Sequence, residues 1–372
     1  MSDIRNILRQ RKSDGLFRAL KHEIKSTDFC SNDYLGFARS SSLTEAVFHE
    51  VSLGDKRNGA TGSRLLSGNT ELYTQLERQI SEYHSSEDAL IYPSGYQANL
   101  GLLSCIATKN DTLILDELVH ASLIDGARLS HAHRFKFSHN NLNDLCKKLE
   151  KGRGTIYVVV ESLYSMDGDI PDLKAISELC QKFNAKLIVD EAHSAGIYGP
   201  SGAGLVSELG LQNQVFARII TYGKAFGIHG AAILGSSELK DYLVNYSRSF
   251  IYSTGLPPYQ LVCIKQAYLH MKNAENERKN LFSNIAYFRA KIKSDSRWIS
   301  SNSPIQSLLI SGNKRVHDLA IKLQQLQFEV FPILSPTVAS GQERIRFCMH
   351  SFNTTEEIDQ LFIAINSNIH DL

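Results

Sequence analysis

Three side chains near the middle of this 372-residue chain have the types and spacing to do chemistry together: Asp190, His193 and Lys224. Asp190 ends the apolar run Leu187-Ile188-Val189, with Glu191 next and His193 three residues on. A short branched apolar run with abrupt polar ends reads as a strand buried on both faces. An acid at its last position lies at the carboxyl edge of a parallel sheet, where open α/β folds keep their ligands. Asp also favours turns and caps, so Asp190 alone says little. Lys224 adds to it, because it follows a second apolar run, Ile219-Ile220, in a small polar stretch. An amine, a carboxylate and an imidazole at neighbouring strand ends suit an aldehyde cofactor, which the amine can hold covalently.

Pyridoxal phosphate has the needs that these residues meet. Lys224 supplies the amine, and Asp190 a carboxylate to keep the ring nitrogen protonated so that the ring draws off electrons. A phosphate needs a cradle. Ser94-Gly95-Tyr96 stands where a strand passes into a helix, whose first N–H groups and dipole favour an anion. Ser253-Thr254 is a second candidate. His193 is placed to bond the ring hydroxyl and His120 to stack on the ring face. Arg346 lies between Ile345 and Phe347 on a strand. Pointing inward it needs a carboxylate partner, and on the other face it is simply exposed.

The elements that must position these groups alternate. Strand-like runs at Ala89–Tyr92, Thr112–Leu115, Tyr157–Val160, 187–189, 218–221 and Ala231–Leu234 are separated by helical stretches. That order predicts an α/β fold with a doubly wound, mainly parallel sheet. Asn69 or Thr70 is placed to cap a helix bearing Leu72, Leu76, Ile80 and Tyr83. After Pro257-Pro258 the pattern changes. One long helical stretch, roughly 259–293, leads to a smaller α+β unit with strands at Gln306–Ile310, Phe328–Phe331 and Arg344–Met349. A capping box, Thr354 with Glu357, opens the closing helix. The reading is an N-terminal arm over 1–45, helical over most of 3–22, a large domain over 46–257 and a small C-terminal domain over 258–372.

Composition excludes several classes. Apolar residues make up 42% and charged residues 21%, with a net charge of +1, so neither disorder nor an electrostatic nucleic-acid or membrane partner is expected. The six cysteines include no CxxC pair. This favours a reducing compartment, no structural metal and a cytoplasmic protein. No run approaches the roughly 20 apolar residues of a membrane span, and the N-terminus lacks a signal peptide's apolar core.

Ordered motifs cover nearly the whole length: SNDYLG (31–36), GSRLLSGN (62–69), SGYQAN (94–99), HASL (120–123), HNN (139–141), ESLYSMDGD (161–169), DEAHSAG (190–196), TYGKAFG (221–227), IYSTGLPP (251–258) and SPTVASGQERIRF (335–347). In these the chain resembles the α-oxoamine synthases, fold-type I pyridoxal-phosphate enzymes. The resemblance implies that Lys224 forms the Schiff base, that Asp190 pairs with the ring nitrogen and that His120 stacks on the ring. It places His193 and Ser165 at the ring hydroxyl, and Gly95, Tyr96 and Thr221 with Ser94 at the cofactor of the same subunit. Ser253 and Thr254 would reach the phosphate of the neighbouring subunit in a homodimer with shared sites. Arg346 would bind the amino-acid carboxylate, with Asn32 near the substrate. The activity implied is a decarboxylating Claisen condensation, most like that of the biotin-pathway members, between L-alanine and a pimeloyl thioester of coenzyme A or acyl carrier protein. Sister activities with glycine or serine, a non-catalytic partner subunit and a fold-type I aminotransferase are the alternatives. The chain departs from biotin-pathway members in a shorter segment before SNDYLG, where Arg11 and Arg18 are both candidate substrate contacts, and in Asn69 where those members carry His.

Overall fold

The computed structural model describes residues 3–20, 26–292 and 295–369. Six of the apolar runs are strands: β1 (Asp88–Tyr92), β2 (Thr112–Asp116), β4 (Ile156–Glu161), β5 (Lys186–Asp190), β6 (Val215–Thr221) and β7 (Ala231–Gly235). Between them lies a seventh, β3 (His133–Phe137), which the sequence pattern does not announce. It is an edge strand whose first four residues are left unburied, so no apolar run is needed to build it.

The seven strands form one sheet in the order β1-β7-β6-β5-β4-β2-β3. β7 runs antiparallel to both neighbours and every other pairing is parallel. The expected fold class is the one found. Central strands need apolar residues on both faces, and Leu187, Ile188 and Val189 are fully buried. Because the parallel strands point the same way, Asp116, Glu161, Asp190 and Thr221 end at one edge of the sheet.

Contacts divide the chain into two units: residues 33–165 with 170–278, and residues 1–32, 166–169 and 279–372. This differs from the expected arm over 1–45 and boundary at Pro257-Pro258. The predicted 259–293 helix is two helices, Pro258–Lys272 and Glu275–Ile292, because Asn273 leaves helical geometry and caps the first. The first belongs to the larger unit. It buries Leu261, Ile264, Ala267, Tyr268 and Met271, and Lys265 Nζ reaches Glu50 Oε1 at 2.7 Å. The N-terminal helix spans only Ile4–Ser13, capped by Asp14. Residues 21–22 of the predicted arm lie outside the described residues.

The smaller unit holds an antiparallel sheet, β9-β10-β8, of β8 (Ile305–Leu309), β9 (Phe331–Ile333) and β10 (Arg344–Cys348). The strand expected at Phe328–Phe331 is split by a change of partner: Phe328–Glu329 pairs in parallel with Thr27–Asp28, and Phe331 opens β9. The capping box of the closing helix is made as expected. Thr354 N–H donates to Glu357 Oε2 at 2.9 Å and Glu357 N–H to Thr354 Oγ1 at 3.2 Å. The expected cap on Glu71–His84 is not made. Thr70 forms no side-chain cap, and Asn69 Oδ1 instead accepts from Arg64 Nε and Nη2. No helix among the described residues is long and apolar enough to cross a membrane, and no cluster of ligating residues there suits a metal ion.

Candidate active site

At the carboxyl edge of the large sheet a cavity of about 190 Å³ is lined by Gly95, Tyr96, Asn99, His120, Ser122, Glu161, Asp190, Ala192, His193, Thr221 and Lys224. They come from strand ends, from the turns that follow them and from the first turns of the Gly95–Ile106 and Ala121–Leu129 helices. Asp190 closes β5 and His193 lies in its turn. Thr221 closes β6, and Lys224 follows in a loop pinned by Tyr222 and Phe226, both fully buried and packed edge to face at 5.4 Å. His120 is the N-cap of the Ala121–Leu129 helix, and its ring is exposed to the cavity.

Asp190 is buried and fully bonded. Oδ2 accepts from Asn99 Nδ2 at 2.8 Å and Oδ1 from Ala192 N–H at 3.0 Å. Burial pushes its carboxyl above the ordinary range, while those donors and the charges of His120 and Lys224 pull it back. Glu161 sits opposite Asp190 in the β4–β5 register and accepts His120 N–H at 2.5 Å. Burial, then the neighbouring Asp190 charge, holds its carboxyl well above the usual range. His193, also buried, is held through Nδ1 by the Tyr34 hydroxyl at 2.7 Å.

The Gly95–Ile106 helix opens at the cavity with Ser94 as cap, its Oγ accepting from Gln97 N–H at 3.3 Å. A Cβ on Gly95 would stand 2.4 Å from Thr221 Oγ1, so only glycine lets the helix N-terminus approach β6. The result is an anion cradle of first-turn N–H groups beside a hydroxyl. Amine, buried carboxylate, imidazoles and cradle face one cavity, and that donor set fits pyridoxal phosphate.

The remaining residues named from the sequence lie elsewhere. Ser253, Thr254 and Ser165 do not line this cavity, and Thr254 bridges to Ser63. Arg346 is half-buried on β10 of the smaller unit, where Nη2 donates to Asn32 Oδ1 at 3.3 Å and to Cys30 O at 3.4 Å. Arg11 and Arg18 both line a groove of that unit with His317 and residues 331–337, and Arg18 reaches Thr337 Oγ1 at 3.4 Å. The residue reading gives no role to Asn99, Ser122, Tyr34 or Glu161. Glu161 had a visible signal, an acid closing the apolar run Tyr157–Val160, as Asp190 closes its own.

A family model described as aminotransferase class I and II matches residues 24–365. The chain is 37% identical over 367 residues to 8-amino-7-oxononanoate synthase of Emericella nidulans, covering 91% of this chain and 88% of that one. It is 35% identical to the enzyme of that name from Lysinibacillus sphaericus, covering 91% and 87%. The solved structure of the Francisella tularensis 8-amino-7-oxononanoate synthase superposes with a TM-score of 0.80 at 28% identity, covering 93% of this chain and 98% of that one. A Sphingomonas wittichii serine palmitoyltransferase superposes with a TM-score of 0.88 at 26% identity, covering 93% and 88%.

Proposed function

The chain belongs to the aminotransferase class I and II family, and we propose that it is a pyridoxal-phosphate-dependent acyltransferase, an 8-amino-7-oxononanoate synthase. It joins L-alanine to a pimeloyl thioester with loss of carbon dioxide and release of the thiol, a step of biotin biosynthesis. The observation that carries this reading is the convergence of Lys224, Asp190, His193 and His120 on one cavity, in a chain whose relatives bear that name along nine-tenths of its length.

The bound cofactor supplies an electron sink for the pair left when a proton leaves the amino acid's Cα. The chain's residues do the rest. Lys224 would hold the cofactor through its Nζ, and its free amine would serve as the base that takes the Cα proton and the acid that returns one. Asp190 holds a proton at the ring nitrogen. Asn99 and Ala192 donate to both its oxygens, so it stays in one place while charge develops. His193, fixed by Tyr34, would bond the ring hydroxyl and His120 would stack on the ring; Ser165, which lies outside the cavity lining, would take a part on the hydroxyl side. Gly95 and Tyr96 N–H groups and Thr221 Oγ1 bind the phosphate, with Ser94 fixing the helix start. Arg346, with Asn32 beside it, binds the substrate carboxylate.

The working form is a homodimer in which Ser253 and Thr254 serve the neighbouring subunit's phosphate. Leu65, Leu66, Tyr96 and Tyr252 are exposed at 49%, 86%, 46% and 71%. The Ser63–Thr254 bridge joins two of the loops that carry them. Leu65, Leu66 and Tyr252, left open on those two joined loops, favour a protein cover. Six free cysteines fit a reducing, cytoplasmic setting.

The test is borohydride reduction of the holoenzyme, peptide mass mapping, and assay with L-alanine, glycine and L-serine against pimeloyl-coenzyme A. The reading expects the cofactor fixed to Lys224, no adduct in Lys224→Ala, and 8-amino-7-oxononanoate formed from alanine. Product from glycine or serine alone would move the protein to a sister activity, and absence of any adduct would refute the enzyme.

A further inference from the structure

Two buried residues, Asn99 and Ser122, tie the two sides of the cofactor site together. Asn99 and Ser122 are 2% and 0% exposed. The amide of Asn99 spends one N–H on Asp190 Oδ2 at 2.8 Å and the other on Ser122 Oγ at 3.0 Å. The reverse amide orientation would set two oxygens against each other at Asp190, so this orientation is the one the geometry allows. With Ser122 Oγ already accepting from Asn99, its own hydrogen is directed at the next acceptor in reach, His120 Nδ1 at 2.7 Å. Ser122 N–H points at the same nitrogen, 3.2 Å away. Two donors converge on Nδ1, so that nitrogen carries the lone pair and the ring proton sits on Nε2.

The sequence of bonds runs Asp190, Asn99, Ser122, His120, and it depends on two helices lying unusually close. Asn99 belongs to the Gly95–Ile106 helix and Ser122 to the Ala121–Leu129 helix. A Cβ on Gly126 would stand 2.8 Å from Asn99 O, so glycine at 126 permits the approach that puts the amide within reach of the hydroxyl.

Resting on the functional reading above, we infer that Asn99 and Ser122 are positioning residues that form a fixed hydrogen-bond relay. The relay holds Asp190 as an oriented acceptor on one side of the cofactor and His120 as its Nε2–H tautomer on the other. The relay is built from donors with single destinations, and its direction cannot be reversed without leaving Asp190 facing an oxygen. Loss of either member therefore disturbs both groups rather than one.

Nitrogen-15 NMR of histidine-labelled protein reads the His120 tautomer directly, with the His120 signals identified by their loss in His120→Gln. The measurement is made with and without pyridoxal phosphate. The relay predicts a bare Nδ1 and a protonated Nε2 in the wild type. It predicts a shift of the Nδ1 signal towards protonation in Ser122→Ala, and a return to the wild-type pattern in Ser122→Thr, which restores a hydroxyl. Asn99→Ala, which strips a donor from a buried carboxylate, should weaken pyridoxal phosphate retention about tenfold by equilibrium dialysis. It should also perturb the His120 signals, which Asn99 reaches only through Ser122. A wild-type ring protonated on Nδ1 overturns the inference, as do unchanged His120 signals in both Ser122→Ala and Asn99→Ala. A wild type that retains no pyridoxal phosphate refutes the functional reading instead, and the cofactor-free spectrum still decides the relay.

Discussion

Glu161 is a second acid behind the cofactor site, and its state decides how it is used. Two carboxylates in one buried register do not both ionise easily. Burial and the neighbouring Asp190 charge hold Glu161 well above the ordinary carboxylate range, and it accepts from His120 N–H. Glu161→Gln keeps an acceptor of the same shape. Glu161→Ala removes it, so its dissociation constant for pyridoxal phosphate should exceed that of Glu161→Gln by about tenfold, a difference worth about 1.4 kcal/mol in a titration of the bound-cofactor absorbance. At this scale the sequence is readable where a residue type announces itself. Lys224 and Asp190 each close or follow an apolar run, and His120 and His193 stand in the turns beside them. Asn99, Ser122 and Tyr34 do not announce themselves, because their work depends on which helix lies against which. That is set by distant contacts such as Gly126 against Asn99 O.

Between elements, the buried pair Arg218–Glu191 locks β6 to the turn after β5. Arg218 and Glu191 are 3% and 0% exposed and meet at 2.6 Å, and Arg218 also donates to the carbonyls of His84 and Ala203. Glu191 N–H donates to Ile219 O at 2.8 Å. The residue after Asp190 thus ties the strand leading to Lys224 to the turn carrying His193. Arg218→Met leaves a buried carboxylate without its counter-charge, although Ser194 Oγ and Val206 N–H still donate to it, and should cost about 3–5 kcal/mol in urea unfolding, with part of the loss recovered in Arg218→Met/Glu191→Gln. In the smaller unit Asp28 holds the turn that follows the Thr27–Asp28 strand. Burial opposes its charge, but His350 and the hydrogen bonds from Ser31 and Cys30 outweigh burial and bring it from 3.8 to about 2. A depressed carboxylate stabilises the fold above its unfolded value, and that contribution fades as pH falls through the folded one. Asp28→Asn should therefore be less stable than wild type by about 2 kcal/mol at pH 6, with the gap narrowing from about pH 4 to about pH 2, as urea midpoints at pH 6 and pH 3 would show. The sequence announces the central strands because both faces must be apolar. It is silent on β3, an edge, and on the change of partner at Val330, where one apolar run serves two sheets.

For the molecule as a whole, sites shared across a dimer make a genetic prediction. If Ser253 and Thr254 serve the neighbour, Lys224→Ala and Ser253→Ala/Thr254→Ala chains are each inactive alone. Mixed and refolded together they should regain about a quarter of wild-type activity, since half of the random dimers carry one intact site of two. Activity that stays at zero after mixing would place both residues in their own subunit's site. The sequence pattern changes near residue 258, while Tyr268 and its neighbours place the helix that follows in the larger unit, which residue type alone does not announce. The pairing of Thr27–Asp28 with Phe328–Glu329 has a consequence in time. On a ribosome the first of these segments emerges about 300 residues before its partner, a wait of roughly 15 to 60 s at about 5–20 residues per second. The larger unit has its entire sheet before then, while the smaller one stays unfinished until residues 279–372 arrive. Nascent chains stalled near residue 300 should thus leave the Thr27–Asp28 segment open to protease, and chains in which Phe328–Glu329 has emerged and paired should protect it.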